Sequence, residues 1–237
     1  MNTFRTPCWS YLMGTDHLGR DVLAQFIHGA QVSILVGALA AITATTLGVL
    51  IGMISGYWGG LIDDGLMRVT EFFQTVPKFF LMIIAVAIMG PSLVHLILVI
   101  GLLSWPQIAR ITRSEFLAIK NHEFVDAAHA IGASNFRILF RAILPNASPP
   151  IIVNGSLLVG QAILLEAYLS FLGLGDPINP SWGLMLYNAQ QFVFQAWWMF
   201  IFPGAGIFVT VLCLNLFGDA LNDVLNPLVS TSVPLTI

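Results

Sequence analysis

Charge is scarce in this 237-residue chain: Asp, Glu, Lys and Arg make up 9% of it, against roughly a quarter in an ordinary soluble domain. So few charges cannot cover a globular surface with polar groups. The nine Lys and Arg residues form no long run and the net charge is −3, which excludes the electrostatic footprint of a nucleic-acid-binding protein. Only two cysteines occur, Cys8 and Cys213, far apart and the second inside an apolar run, so neither a disulfide framework nor a metal knuckle is read from them. His95 stands alone near a helix end, and His122 and His129 lack partners at metal-ligand spacing. No glycine-rich loop ending in Gly-Lys-Ser or Gly-Lys-Thr is present, so the chain cannot bind ATP in the P-loop manner. The N-terminus has no apolar stretch with a small-residue cleavage site, and no signal peptide is read there. What abounds is apolar: 57% hydrophobic residues with 21 Gly and 12 Pro fit a helical membrane bundle, where both residues are commoner than in soluble helices.

The clearest span is Val32–Ile54, 23 uncharged residues, long enough to cross an apolar core about 30 Å thick. Within it Gly48, Gly52 and, just beyond, Gly56 repeat every fourth residue and make a face that another backbone can approach. Phe79–Met89 is too short to cross alone, and Gly90-Pro91 interrupts the apolar run before it resumes to Trp105. One broken span or two spans both fit; the helical pattern, extended back to Leu66 and forward to about Leu117, favours two. Pro77 and Pro106 should kink or locally break them. Further spans are expected at 151–174 and 196–217, the latter entered through Trp197-Trp198, a pair suited to the headgroup level. Seven of the nine basic residues, Arg68, Lys78, Arg110, Arg113, Lys120, Arg137 and Arg141, fall around the loops 57–78 and 106–149, which the positive-inside rule places in the cytoplasm. Segment 175–195, without Lys or Arg, is then external. With five spans the C-terminus is cytoplasmic and the N-terminus external.

The long polar connection between the third and fourth spans has helical character. Phe124, Ala128 and Ile131 share one face, and after Gly132 the residues Phe136, Leu139, Phe140 and Ile143 recur at helical spacing, with Ser134 placed as a cap. The segment reads as two short amphipathic helices hinged at Gly132 and ended by Pro145. An apolar face displayed there needs a protein partner or the lipid interface, with Arg137 and Arg141 available to lipid phosphates in the second case.

Asp126-Ala127-Ala128, Gly132 and Leu144-Pro145 together resemble the "EAA…G…LP" coupling loop of bacterial ABC import permeases, with Asp126 in place of the usual Glu and Ala142 where the pattern has Ile. Gly14-Thr15-Asp16-His17-Leu18-Gly19-Arg20-Asp21 resembles the GTDxxGRD segment of the C-type subunit in the dipeptide, oligopeptide and nickel permease subfamily. Ser170-Phe171-Leu172-Gly173-Leu174-Gly175 and the stretch from Gly218-Asp219-Ala220 through Asp223 to Asn226-Pro227 look like two further signatures of that subfamily. The resemblance, covering about residues 14–227, implies an all-α, polytopic bundle of the type I ABC importer permease kind, with about five spans here where the family has six. It divides the chain into an external or interfacial segment 1–30, a transmembrane domain 31–227 with its coupling loop at 121–145, and a tail 228–237. Relatives carry a transmembrane helix before the GTD segment, where this chain has only Met1–Met13, so a missing or truncated first span is expected. Phe124, Asp126, Ala127, Ala128, Gly132, Leu144 and Pro145 are the implied ATPase-coupling residues. The implied partners are a second homologous permease subunit, two cytoplasmic ATPases that bind the ATP, an extracytoplasmic solute-binding protein and membrane lipid. The chain itself would be non-catalytic and cofactor-free, in a bacterial or archaeal inner membrane. Dipeptides, oligopeptides, nickel and other metal chelates all remain open as solutes.

Residue chemistry inside the membrane adds three candidates. Glu166 lies deep in an unbroken apolar span, where a carboxylate is costly unless it faces a cavity or a partner. It reads either as part of the pore wall or subunit interface, or as an interhelical hydrogen-bonding group. Asn154 and Gln161, seven apart on the same helix, lie on roughly one face and are further pore or interface candidates. Near the N-terminus, Thr15 or Asp16 can cap a short interfacial helix, with Arg20 and Asp21 as opposite charges beside it. Two other functions fit less well. An ion-coupled secondary transporter using Glu166 as proton carrier would show paired broken helices in two repeated halves, and no repeat is found. An intramembrane enzyme would need a converging nucleophile and base.

Overall fold

The computed structural model describes residues 3–225; Asn226-Pro227 of the C-terminal signature and the tail 228–237 lie outside them. Among the described residues the regular structure is helical: α1 (Val22–Trp58), α2 (Gly60–Thr75), α3 (Lys78–Met89), α4 (Leu93–Ile119), α5 (Glu123–Ala130), α6 (Asn135–Arg137), α7 (Leu144–Leu169), α8 (Trp182–Ala189) and α9 (Trp198–Leu225). A π-helical turn, Ile138–Ile143, joins α6 to α7, and a second, Ser170–Leu174, follows α7, so that Asn135–Leu174 forms one 40-residue helical stretch. Four helical stretches are long and apolar enough to cross a membrane alone, and the pair α2–α3 makes a fifth if it counts as one broken span.

Several boundaries differ from those read in the sequence. The supposed loop 57–78 is mostly helix, because Gly59 and Gly60 adopt left-handed φ of 66° and 54° and turn the chain directly from α1 into α2. The helix expected to run from Leu66 through Pro77 instead stops at Val76, whose ψ of 132° is the extended conformation that a following proline imposes. Pro106, by contrast, lies inside α4 without ending it. Pro145 does not terminate the second short helix either. The π turn just before it, in which the Leu144 amide donates to the Leu139 carbonyl five residues back, widens the backbone where the proline ring would otherwise press on the preceding turn.

The chain folds into two compact units, and it passes repeatedly from one to the other. The first contains the residues up to Ala40, Phe79–Gly101 and Leu158–Leu214. Its core holds Val22, Ala167, Trp182, Met185, Trp198 and Ile207. Two indoles are locked by hydrogen bonds, Trp182 Nε1 donating to the Phe26 carbonyl at 3.0 Å and Trp198 Nε1 to that of Thr15 at 3.1 Å. The Trp197-Trp198 pair therefore splits: Trp197 is exposed, whereas Trp198 is a core residue.

In the same unit the GTD segment forms a tight turn and not the expected capped helix. The buried Asp16 carboxylate accepts from the amides of Leu18 and Arg20 at 2.9 and 2.8 Å, from Arg20 Nε at 2.7 Å and from Gln25 Nε2 at 3.1 Å. Burial pushes this carboxyl up, but the Arg20 amide and guanidinium together with Gln25 outweigh it and hold the group below the usual carboxylate range. Arg20 thus pairs with Asp16, and Asp21 is left to cap α1 by accepting from the Leu23 amide at 3.0 Å. A comparable turn surrounds Asp176, which accepts from the amides of Leu93, Ile178 and Asn179 and so satisfies a free donor at the start of α4.

The second unit contains Ala41–Lys78, Leu102–Leu157 and the chain from Asn215 onward. Its organising contact is the glycine stripe of α1. A β-carbon at Gly48 would sit 2.6 Å from Cβ of Ile108, one at Gly56 would sit 2.6 Å from Cβ of Phe116, and one at Gly52 would collide with the Ala109 carbonyl oxygen. The backbones of α1 and α4 therefore meet where only glycine fits. Gly52→Val should lower the thermal midpoint of the detergent-purified protein by several degrees or abolish its accumulation in membranes. Gly65→Ala on α2, where a methyl group enters open space, should be neutral or stabilising by up to about 1 kcal/mol. Equal behaviour of the two variants in a thermal-shift assay would contradict the close approach.

Candidate functional site

The segment 121–145 belongs wholly to the second unit, and its geometry follows from local sequence. Helix α5 ends in a Schellman arrangement: the Gly132 amide donates to the His129 carbonyl at 3.0 Å and the Ala133 amide to that of Ala128 at 3.1 Å, with Gly132 at φ 76°. Ser134 then caps the next helix by accepting from the Arg137 amide at 3.4 Å. The glycine acts as a helix stop held by two hydrogen bonds, and it defines the angle between two short elements.

Packing decides which side of these elements faces outward. Val125, which the sequence pattern did not single out, is buried with Ile138, Leu139 and Ile143 against Met53, Phe116 and Ile119. Ala128 and Leu144 are partly buried against the same cluster. Phe124, Asp126, Ala127, Gly132 and Pro145 are exposed. Two large apolar residues of the segment stand almost free, Ile131 at 85% and Phe136 at 71% exposure. One polar tie fastens the segment to α1, Tyr57 donating its hydroxyl to Asn135 Oδ1 at 3.0 Å, and a second lies just before it, Lys120 Nζ donating to the Gly56 carbonyl at 3.1 Å. The result is an apolar outer face on a firmly anchored base.

Asp63 is a polar centre the sequence reading missed. It is buried on α2, accepts from both Nε and Nη2 of Arg113 on α4 at 2.5 Å each, and accepts from the Ser55 hydroxyl on α1. A bidentate guanidinium–carboxylate pair has strong directional preference, so it fixes α2 against α4 within the second unit. The only sequence signal is an aspartate on the inner face of an otherwise amphipathic helix.

Glu166 belongs to the first unit and is completely enclosed there. Its carboxylate accepts from the Ser33 hydroxyl at 3.1 Å and from the Ser170 hydroxyl at 2.6 Å, while Ser33 Oγ in turn accepts from the Trp182 amide at 3.2 Å. The chain α7–α1–α8 is thereby linked through one carboxylate and one hydroxyl. Asn154 and Gln161 do not join this network: Asn154 donates to the Pro150 carbonyl of its own helix at 2.9 Å, and Gln161 is exposed. Among the described residues no group of His, Cys, Asp and Glu is arranged to hold a metal ion.

Comparison with known proteins is consistent across sequence and structure. Residues 48–231 match the family described as binding-protein-dependent transport system inner membrane component. The di/tripeptide transport system permease protein DppC of Pseudomonas aeruginosa is 38% identical over 92% of this chain and 72% of its own length. The dipeptide transport system permease protein DppC of Alkalihalophilus pseudofirmus is 40% identical over 95% and 75%, respectively. The probable D,D-dipeptide transport system permease protein DdpC of Escherichia coli is 37% identical over 93% and 74%. Among solved structures, an inward-facing MetNI methionine ABC transporter superposes with a TM-score of 0.70 at 16% identity, covering 86% of this chain and 97% of the other. An amino acid ABC transporter gives 0.64 at 16% identity, covering 84% and 94%. These structural likenesses establish a shared fold.

The Glu166 network yields a directional expectation. Glu166→Gln keeps the volume and can still accept from one serine, so membrane level and uptake should stay near wild type. Glu166→Leu leaves the Ser33 and Ser170 hydroxyls without their acceptor, at about 1–3 kcal/mol each, and should lower both the thermal midpoint and the amount of protein in the membrane. If Leu is tolerated as well as Gln in the same assays, the carboxylate is not a structural tie.

Proposed function

The chain belongs to the family of binding-protein-dependent transport system inner membrane components, and from that premise we propose that it passes small peptides through the membrane as one half of a two-permease pathway. It is a multi-pass permease component of a bacterial ABC importer. In the proposed assembly it pairs with a homologous permease. Two ATPases dock on the cytoplasmic side and a solute-binding protein delivers cargo from outside. Peptides are favoured as cargo by relatives at 37–40% identity whose names specify dipeptide or di/tripeptide transport. Hydrolysis of ATP then falls to the partner subunits, and the work of this chain is mechanical.

The observation that carries the coupling role is the outward apolar face of segment 121–145 on its anchored base. Phe124, Ile131 and Phe136 are exposed while Val125, Ile138, Leu139 and Ile143 hold the segment to the cluster containing Phe116 of α4. A partner seated on Phe124, Asp126 and Ala127 would therefore push on buried residues and move α4, because close-packed contacts transmit displacement. Asn154 and Gln161 are proposed to face the pathway or the second permease, and Glu166 to support that wall from inside.

Gly132→Pro cannot adopt the left-handed φ that closes α5, and Asp126→Arg reverses the charge at the outer face. Both variants should reach the membrane but lose association with the ATPases, and uptake should fall at least about tenfold, the loss of one well-made charged contact. Normal uptake at normal expression by both variants would dismiss the coupling role. Orientation is open to a separate check. With the exposed Cys8 and Cys213 replaced, a cysteine at 121 should be labelled from the cytoplasm and one at 179 from outside. Cytoplasmic labelling at 179 would reverse the proposed topology of every later element.

A further inference from the structure

Helix α2 is attached to the second unit differently from its neighbours. Its buried residues are Asp63 and Thr70, both polar, and Thr70 donates its hydroxyl to the Leu66 carbonyl of the same helix at 2.8 Å. Leu61, Ile62, Val69 and Phe72 are exposed. No apolar side chain of α2 is therefore buried in a core that would hold the helix in place. At its start the left-handed Gly59-Gly60 turn is bare, since a β-carbon at Gly60 would meet nothing within 4 Å. At its end Val76 turns extended ahead of Pro77. A helix with a non-helical joint at each end swings as a body when pushed.

Asp63 is what reaches from α2 into the fold. Arg113 on α4 donates to it through Nε and Nη2, and Ser55 on α1 through its hydroxyl. Among the described residues no other ion pair joins α2 to a different helix. Further along, the hydrogen bond from Arg110 to Gln74 is exposed, and Phe73 meets Trp105 edge to face with ring centroids 5.7 Å apart. Beside the pair lies a cavity of about 450 Å³ lined by Asp64, Met67 and Glu71 of α2 and Arg110 of α4. Space and not packing separates the two helices there.

Motion has a rigid route to this pair. The floor under segment 121–145 contains Met53 of α1 and Phe116 of α4, and the glycine stripe joins those two helices where only glycine fits. Helices packed this closely move together. Arg113 lies one turn of α4 from Phe116, whereas the backbone link from α1 to α2 passes through two glycines that bend easily. We propose that the Asp63–Arg113 pair is a latch that makes α2 follow α4 when a partner pushes on segment 121–145, and that both are positioning residues for transport. The inference rests on the coupling role proposed above. A bidentate guanidinium–carboxylate contact suits such a latch, because it fixes direction as well as distance.

The test uses the complete transporter, isolated with the subunits that accompany this chain in its native membrane and placed in vesicles. In a Cys8→Ser, Cys213→Ser background, spin labels go on Val69→Cys of α2 and Ser114→Cys of α4, both exposed positions. Otherwise unchanged protein should give one narrow distance that stays the same when the ATPases close on ATP, because α2 travels with α4. In Arg113→Gln and Asp63→Asn the distribution should widen or shift in the ATP state. The ATPases should stay bound and hydrolysis should stay near wild type, since segment 121–145 is untouched. Uptake of trialanine per ATP hydrolysed should fall about tenfold, the worth of one charge-assisted contact. Arg113→Lys keeps the charge without the fork and should fall between the two.

An unchanged distance in both neutral variants overturns the proposal. So does an equal fall of hydrolysis and uptake, which marks a tie that holds the fold and carries no motion. Where the neutral variants fail to accumulate, Arg113→Lys decides, and wild-type distances and uptake in that variant overturn the latch. If the wild type imports no trialanine, the distance measurement is the test. Absence of ATPases from the wild-type complex overturns the coupling reading and the latch with it, whereas an ATP-driven complex indifferent to both substitutions overturns the latch alone.

Discussion

Gly48, Gly52 and Gly56 bring α1 so near to α4 that a β-carbon at any of the three would overlap a neighbour, and the second unit is arranged around that approach. Membrane helices gain little from hiding apolar surface from one another, since lipid is equally apolar; dispersion contacts and polar ties must hold them. The glycine stripe supplies the first by removing side chains from the seam. Close to its end, Ser55 and Arg113 converge on Asp63, and Lys120 donates to the carbonyl of Gly56 itself. A seam of this closeness also brings Phe116 beside Met53, where the two form the floor on which Val125, Ile138 and Ile143 are packed.

The few charged residues divide by whether they are compensated. Asp16 with Arg20, Asp63 with Arg113 and the amide-bound Asp176 are structural: each has its charge met by donors or by an opposite charge within the fold. Glu166 is of the same kind, with hydroxyls as partners. Lys78 and Arg110 differ in that their hydrogen-bond acceptors, Ser104 and Gln74, are neutral.

Apolar exposure has two meanings here. Residues such as Ile42, Leu102 and Phe208 are exposed on helices long and apolar enough to cross a membrane, and lipid is their natural surrounding. Ile131 and Phe136 are exposed on a short polar segment beside Arg137 and Arg141, where hydrocarbon is not the expected neighbour. The second group marks a surface that a partner subunit can cover.

Much of this was determined by the sequence alone. The length and continuity of apolar runs specify spans because backbone donors and acceptors have no water in the bilayer and must bond within the helix. The glycine repeat announces a close seam, Gly132 and Ser134 announce a helix stop and a new start, and the ordered motifs point to the permease family. Tertiary structure decided matters of partnership. The sequence could not say that Arg20 pairs with Asp16 while Asp21 caps α1, that Trp198 is buried while Trp197 is not, or that Val125 anchors the segment 121–145 on which Phe124 and Ile131 are exposed. Nor could it say that Pro145 would be absorbed by a π turn, or that Glu166 would be enclosed by hydroxyls from Ser33 and Ser170. Helix formation depends on neighbours a few positions away along the chain, and periodicity records it. Which donor meets which carboxylate depends on residues such as Ser33 and Glu166, 133 positions apart, brought together only when the helices pack.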